Sequence, residues 1–222
     1  MSRITLIRHA QASFGAADYD VLSDLGHEQA RALGQGLALM GEPRPLRLYR
    51  GAQRRHAETL AGLAPALDLD PACAVIHEGL NEFDAKGLLS ARFGPGGLAA
   101  EVRQDRRLYF RTLRETVLAW QRDEIADPPE TWAAFSHRVD SARQAMLDEG
   151  GPVLAVSSGG AISRMIADVM QAPAPQMILL QLQMKNCAVS RLAGGEAGLF
   201  LHSFNETPHL RQASDAHLLT YS

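Results

Sequence analysis

The chain has 222 residues, 22 Lys and Arg against 25 Asp and Glu, a formal charge of −3 and 46% hydrophobic residues. At this size roughly 70% of the unfolded surface can be buried, so one domain over residues 1–222 holds a full core without disulfide or metal staples. The slight acidity excludes nonspecific nucleic-acid binding. The two cysteines, Cys73 and Cys187, form no CxxC pair, and no apolar run approaches the ~18 residues of a membrane span or a signal segment, so a cytoplasmic protein is expected.

Residues 4–7 are a short apolar, partly β-branched run that stops at Arg8-His9, the pattern of a buried strand. Ser23-Asp24 has N-cap chemistry, and Ala30, Leu33, Leu37 and Met40 then recur at helical spacing up to Gly41. Residues 46–49 read as a strand, the Arg-rich stretch 50–56 leads into a helix carrying Leu60 and Ala64, and residues 74–77 read as a further short strand. Residues 83–129 read as a helical insertion over the sheet, too short for a core of its own. A Gly-rich piece, 93–97, precedes an Arg-studded helix there with Tyr109, Leu113, Val117 and Trp120 on one face. The clearest helix follows, with Trp132, Phe135, Val139, Ala142 and Met146 at spacings of 3, 4, 3 and 4. Gly151-Pro152 opens a fully buried strand, 153–156, then Ser157-Ser158-Gly159-Gly160 starts a helix with Ile162, Met165, Ile166 and Val169. Strands near 187–192 and 199–204 close the chain. Strands alternating with helices predict an α/β fold, a mostly parallel central sheet with helices on both faces.

In open α/β sheets ligands collect at the carboxyl ends of the strands. Those ends carry Arg8-His9, then Arg50, Arg54 and Arg55, then Glu78 and Glu82, then residues 157–160. Arginine forks hold a phosphoryl dianion bidentately, a Gly-Gly helix start offers amides and the positive end of a dipole, a histidine can be a nucleophile and a carboxyl can protonate a leaving group. A lone strand-end histidine is more often structural, an arginine cluster is more often a solvated face, and Gly-Gly is often just a tight turn. Their coincidence at successive strand ends raises the phosphoryl reading. No G-x-G-x-x-G or G-x-x-x-x-G-K-[ST] follows any strand, which disfavours a nucleotide-binding α/β protein.

Residues 4–10, Ile-Thr-Leu-Ile-Arg-His-Ala, resemble the opening signature of the histidine phosphatase superfamily, the phosphoglycerate-mutase-like fold, with Ala10 in place of the usual glycine. Residues 22–30 are similar to its Leu-Thr-x-x-Gly-x-x-Gln-Ala segment. Residues 49–59 resemble the block that carries its second phosphate-binding arginine, which selects Arg55, and residues 80–83 resemble the stretch with its proton donor, which selects Glu82 over Glu78. Residues 186–189 and 204–210 read like its closing strands. The resemblance implies a metal-independent phosphomonoesterase without cofactors, in which His9 becomes a phosphohistidine, Arg8 and Arg55 hold the phosphoryl oxygens with Ser158 and Gly159, and Glu82 protonates the departing oxygen. Its partners would be a phosphorylated small molecule or a phosphoprotein, with inorganic phosphate as product, and neither nucleic acid nor membrane.

Two departures qualify that expectation. The family's Ser-His-Gly-Gly is here Ser157-Ser158-Gly159-Gly160, so Ser158 stands where a second catalytic histidine belongs. Its hydroxyl donates one hydrogen bond and never carries positive charge. Either Ser158 with the Gly159 amide suffices, or His137, His202 or His209 fills the gap, or the fold serves as a phospholigand-binding or protein-interaction module with impaired catalysis. Second, Ser13-Phe14-Gly15 replaces the Trp-Asn pair of the glycolytic mutases, which argues against mutase activity. The insertion would supply a substrate lid, and its Arg103, Arg106, Arg107, Arg111 and Arg114 read more simply as a solvated helical face.

Overall fold

A computed structural model describes residues 2–13, 20–95, 98–195 and 198–221, with Arg103 by its backbone alone; Phe14, Gly15, Gly96 and Gly97 lie outside the described residues. In chain order the elements are β1 (Arg3–Arg8), α1 (Asp24–Leu39), β2 (Arg47–Arg50), α2 (Arg54–Leu63), β3 (Val75–Ile76), α3 (Ala85–Phe93), α4 (Ala100–Gln104), α5 (Arg106–Gln121), α6 (Trp132–Asp148), β4 (Pro152–Ser157), α7 (Gly159–Val169), α8 (Gln176–Gln183), β5 (Val189–Gly195) and β6 (Gly198–Glu206). The strands form one sheet in the order β3-β2-β4-β1-β5-β6. Its first four strands pair in parallel, and β5 runs antiparallel to both β1 and β6. The fold is α/β with a mixed, mostly parallel sheet.

The apolar runs of β1 and β4 are continuous because both sheet faces are covered, and successive side chains go to opposite faces. Ile4 and Leu6 of β1, with Val153 and Ala155 of β4, join one cluster with Val117 and Trp120 of α5, Phe135 and Val139 of α6 and Ile162 of α7. Ile7, Leu154 and Val156 join a second cluster with Leu33 and Leu37 of α1 and Leu60 and Leu63 of α2. The segment read as an insertion shares the first cluster: Leu88, Leu113, Val117 and Trp120 pack with the strand residues rather than apart from them.

The segment after β1 shows why residues 22–30 have their pattern. Ser23 caps α1, its Oγ accepting from the Gly26 amide at 3.0 Å. A Cβ on Gly26 would sit 2.2 Å from the Gln11 carbonyl oxygen, so the helix starts against this loop only because residue 26 is glycine. Gln29 is fully buried; its Oε1 accepts from the Gln11 amide at 2.8 Å and its Nε2 donates to the Leu218 carbonyl and to Thr220 Oγ1.

The structure departs from the sequence expectation at several elements. The strand expected at 74–77 is two residues long and exposed, at the edge of the sheet where it has one neighbour, β2. Helix α8 and a 3₁₀ helix, Ala213–Leu218, went unanticipated; eight and six residues are too few to display a period. No helix among the described residues is long and apolar enough to cross a membrane.

Candidate active site

The parallel pairing brings the carboxyl ends of β1, β2 and β4 to one edge. Arg8 is in register with Ser157, and the His9 amide donates to the Ser157 carbonyl at 2.9 Å, so His9 and Ser158 leave the sheet side by side. Helix α2 begins just beyond β2 and presents Arg55 and His56. A 3₁₀ turn, Glu78–Leu80, follows β3 and delivers Glu82.

His9 is buried. Its Nδ1 lies 2.7 Å from the Ala10 carbonyl oxygen, which only accepts, so Nδ1 carries the proton and Nε2 keeps its lone pair. Burial, then the positive charges of Arg55 and Arg8 and the neighbouring His56, push its pKa well below the ordinary 6.5, against the Ala10 carbonyl. The backbone around it is tied on three sides: the Ala10 amide donates to Thr59 Oγ1 of α2 at 3.0 Å, and the His9 carbonyl accepts from the Cys187 amide at 3.4 Å and from Asn186 Nδ2 at 3.3 Å.

Arg8 and Arg55 are both buried. Arg8 donates Nη1 to the Met184 carbonyl, and its guanidinium lies against Gly159, whose Cβ, if present, would be 3.5 Å from Arg8 Nε. Arg55 donates Nη1 to Asp20 Oδ1 at 2.7 Å and Nη2 to Ser158 Oγ at 3.4 Å. The same Asp20 accepts from the Arg54 amide at 2.8 Å, which anchors the start of α2.

Glu82 Oε2 accepts from the Gly160 amide at 3.0 Å and Oε1 from the Phe83 amide at 3.2 Å. Burial of the carboxyl raises its pKa; the Gly160 amide, Arg55, Arg8 and the Phe83 amide act in the opposite direction. Glu78 is exposed. Of the two carboxylates weighed from the sequence, Glu82 is the one set against the first turn of α7.

Ser158 is fully buried at the N-cap position of α7, yet its side chain makes no capping bond. Its hydroxyl lies 2.7 Å from His56 Nε2 and 3.3 Å from Gln53 Oε1. His56, also fully buried, has its ring centroid 5.7 Å from that of His9. Sequence reasoning missed His56 and Gln53. One signal was present: His56, Leu60 and Leu63 share the buried stripe of α2, an unusual place for a histidine. The three histidines named as stand-ins lie elsewhere. His137 of α6 and His202 of β6 are exposed, and His209 is buried next to Pro208, whose carbonyl abuts Gly36 of α1.

The arginines of α5 are exposed; Arg106 donates to the Tyr221 carbonyl and Arg111 to Glu115. Among the described residues no group of three or more His, Cys, Asp or Glu is placed to hold a metal ion. One edge of the sheet therefore gathers a neutral imidazole, two guanidinium groups, a carboxyl biased toward its protonated form and the amide end of a helix, a set suited to a phosphoryl group.

The fold is that of the histidine phosphatases. The histidine phosphatase superfamily (branch 1) matches residues 4–207, and the chain belongs to that superfamily. Among solved structures, a mycobacterial glucosyl-3-phosphoglycerate phosphatase is 22% identical with a TM-score of 0.65, over 93% of this chain and 100% of its own. The alpha-ribazole phosphatase from Shigella flexneri is 20% identical with a TM-score of 0.67, over 92% and 96%. A mutant phosphoserine phosphatase from Entamoeba histolytica, in complex with phosphoserine, is 18% identical with a TM-score of 0.65, over 95% and 100%. At these identities the likeness is one of fold. No curated protein matches the chain.

Proposed function

We propose that residues 1–222 form one domain that hydrolyses phosphate monoesters through a phosphohistidine at His9, without a metal. The observation that carries this reading is the geometry at the sheet edge: buried His9 with its Nδ1 2.7 Å from the Ala10 carbonyl oxygen, buried Arg8 and Arg55 beside it, and the Glu82 carboxyl held by the Gly160 amide at 3.0 Å. His9 Nε2 attacks phosphorus while the bond from phosphorus to the ester oxygen breaks, and Glu82 gives its proton to that oxygen. Arg8 and Arg55, with Ser158 and the Gly159 amide, neutralise the charge on the phosphoryl oxygens, the task a metal performs elsewhere. Water then attacks the phosphohistidine, Glu82 takes its proton, and inorganic phosphate leaves. The substrate is a small phosphorylated molecule or a phosphoprotein. The fold relatives act on a glucosyl phosphoglycerate, phosphoserine and alpha-ribazole phosphate by their names, which supports a small-molecule ester.

Ser158 favours a second reading, a phospholigand-binding module with impaired turnover, because a hydroxyl brings no charge to the site. Hydrolysis of p-nitrophenyl phosphate with chelator present decides between the two, run beside His9→Ala. The expected result is turnover in the parent chain, with acid-labile phosphate trapped on it, and neither in the variant. Equal background in both proteins would replace the enzyme reading with the binding module.

A further inference from the structure

We propose that His56 is a positioning residue for phosphoryl transfer: its hydrogen bond to Ser158 Oγ aims the serine hydroxyl at the phosphoryl group, and the two side chains act as one donor. The proposal deepens the reading of His9 as the nucleophile and rests on it.

Ser158 has three neighbours with hydrogen-bonding geometry: His56 Nε2 at 2.7 Å, Arg55 Nη2 at 3.4 Å and Gln53 Oε1 at 3.3 Å. A hydroxyl has one proton to donate and two lone pairs. Arg55 only donates and Gln53 Oε1 only accepts. When a phosphoryl oxygen takes the serine proton, both lone pairs are left to accept, one from Arg55 and the other from His56 Nε2–H. Gln53 gives the proton up cheaply, since its Oε1 already accepts from the Glu82 amide at 3.0 Å, a shorter contact than the one it makes with Ser158.

The surroundings are built for this pairing. A serine at the N-cap ordinarily turns its oxygen onto the amides of its own helix, but Ser158 does not. Its oxygen is held by His56 instead, and the Gly160 amide, one of the two a serine cap would take, donates to Glu82 Oε2 at 3.0 Å. His56 is locked in place by its neighbours: a Cβ on Gly51 would lie 2.2 Å from His56 Nδ1, so the ring occupies the space that a side chain at residue 51 would fill. Burial, Arg55 and Arg50 keep His56 neutral, and its Nδ1 makes no hydrogen bond among the described residues, so the ring's single proton goes to Nε2, where the Ser158 oxygen accepts it. Without His56 the serine is free to swing back to its capping role.

The test is a double-mutant cycle on the full chain: Ser158→Ala, His56→Ala and the double variant, with His56→Gln as the conservative replacement. Reads are kcat and KM for p-nitrophenyl phosphate, the rate of phosphohistidine formation and the Kd of inorganic phosphate, with thermal melts alongside. Ser158→Ala is expected to lower kcat about 10²-fold, His56→Ala to reproduce most of that loss, and the double variant to add less than threefold. His56→Gln, which retains an N–H, should recover part of the rate. Multiplicative losses in the double variant, or wild-type kcat in His56→Ala, would overturn the proposal. If His56→Ala does not fold, His56→Gln takes its place in the cycle. If the parent chain forms no phosphohistidine, the phosphatase reading fails instead, and phosphate affinity decides this inference: equal, non-additive weakening by the two single variants upholds it, and additive weakening or none from His56→Ala overturns it.

Discussion

In the proposed reaction His9 and Glu82 enter the first chemical step in opposite protonation states, and burial biases each toward its own. Burial lowers the histidine and raises the carboxyl, while Arg8 and Arg55 lower both. In kcat/KM the rise with pH reports His9 losing its proton, and the later fall reports Glu82 losing its proton. The expected profile therefore has its acid limb below 6.5 and its alkaline limb above 4.5, the ordinary values of the two groups. Glu82→Gln should abolish the alkaline fall. It should slow hydrolysis of alkyl phosphates by about 10²–10⁴-fold and of p-nitrophenyl phosphate much less, since nitrophenolate leaves without a proton. Equal losses on the two esters would remove Glu82 from the acid role. Most of the candidate site was legible at this scale because Arg8 ends a strand, His9 follows it, and the later strand ends narrow the choice to a few arginines and two glutamates, from which the family resemblance selects Arg55 and Glu82. His56 was not, because its partner Ser158 is 102 residues away and no local pattern records that contact.

Among the elements, α1 shows how closely a helix start and the nucleophile's loop are joined. The Gln11 carbonyl accepts from the Ser23 amide at 3.0 Å and touches the face of Gly26, two residues beyond His9 in the chain. A methyl group there meets backbone rather than a yielding side chain. Gly26→Ala should cost about 1–3 kcal/mol, a drop in Tm of roughly 2–12 °C for a chain of this size, and lower kcat as the loop shifts. Gly195→Ala is the control: a Cβ there meets nothing within 4 Å, and no change is expected. Matching melts for the two variants would refute the account. Long periodic elements such as α6 were readable because burial imposes the 3.6-residue period on them. Strand β3 and helix α8 were harder, since one lies exposed at the sheet edge and the other spans barely two turns. The antiparallel direction of β5 was not readable either, because an apolar run does not state which way its neighbour points.

At the scale of the whole molecule, buried neutral histidines tie stability to pH. Burial, with Lys185 adding to it and Asp215 opposing, pushes His209 down to about 4 from 6.5. The unfolded chain binds a proton there below pH 6.5 and the native chain does not until about 4, so stability is constant above 6.5 and falls with pH between those values. For His209 the loss approaches roughly 3 kcal/mol, and His9 and His56 act with the same sign. Melting His209→Leu beside the parent chain from pH 7 to 4 should give a flatter curve for the variant; parallel curves would exclude this histidine as a source of acid sensitivity.

The place of β1 in the sheet has a consequence in time. Its two neighbours are β4 and β5, and Arg3 pairs with Pro152 on one side and Ala193 on the other. A ribosome adding about 5–20 residues per second makes the first of those partners roughly 7–30 s after β1 itself. Until then Ile4, Leu6 and Ile7 have no strand beside them, and the strand that leads to His9 is a sticky ribbon. The longest-waiting strand among those described is thus the one next to the candidate site, which is complete only once the middle of the sheet has closed.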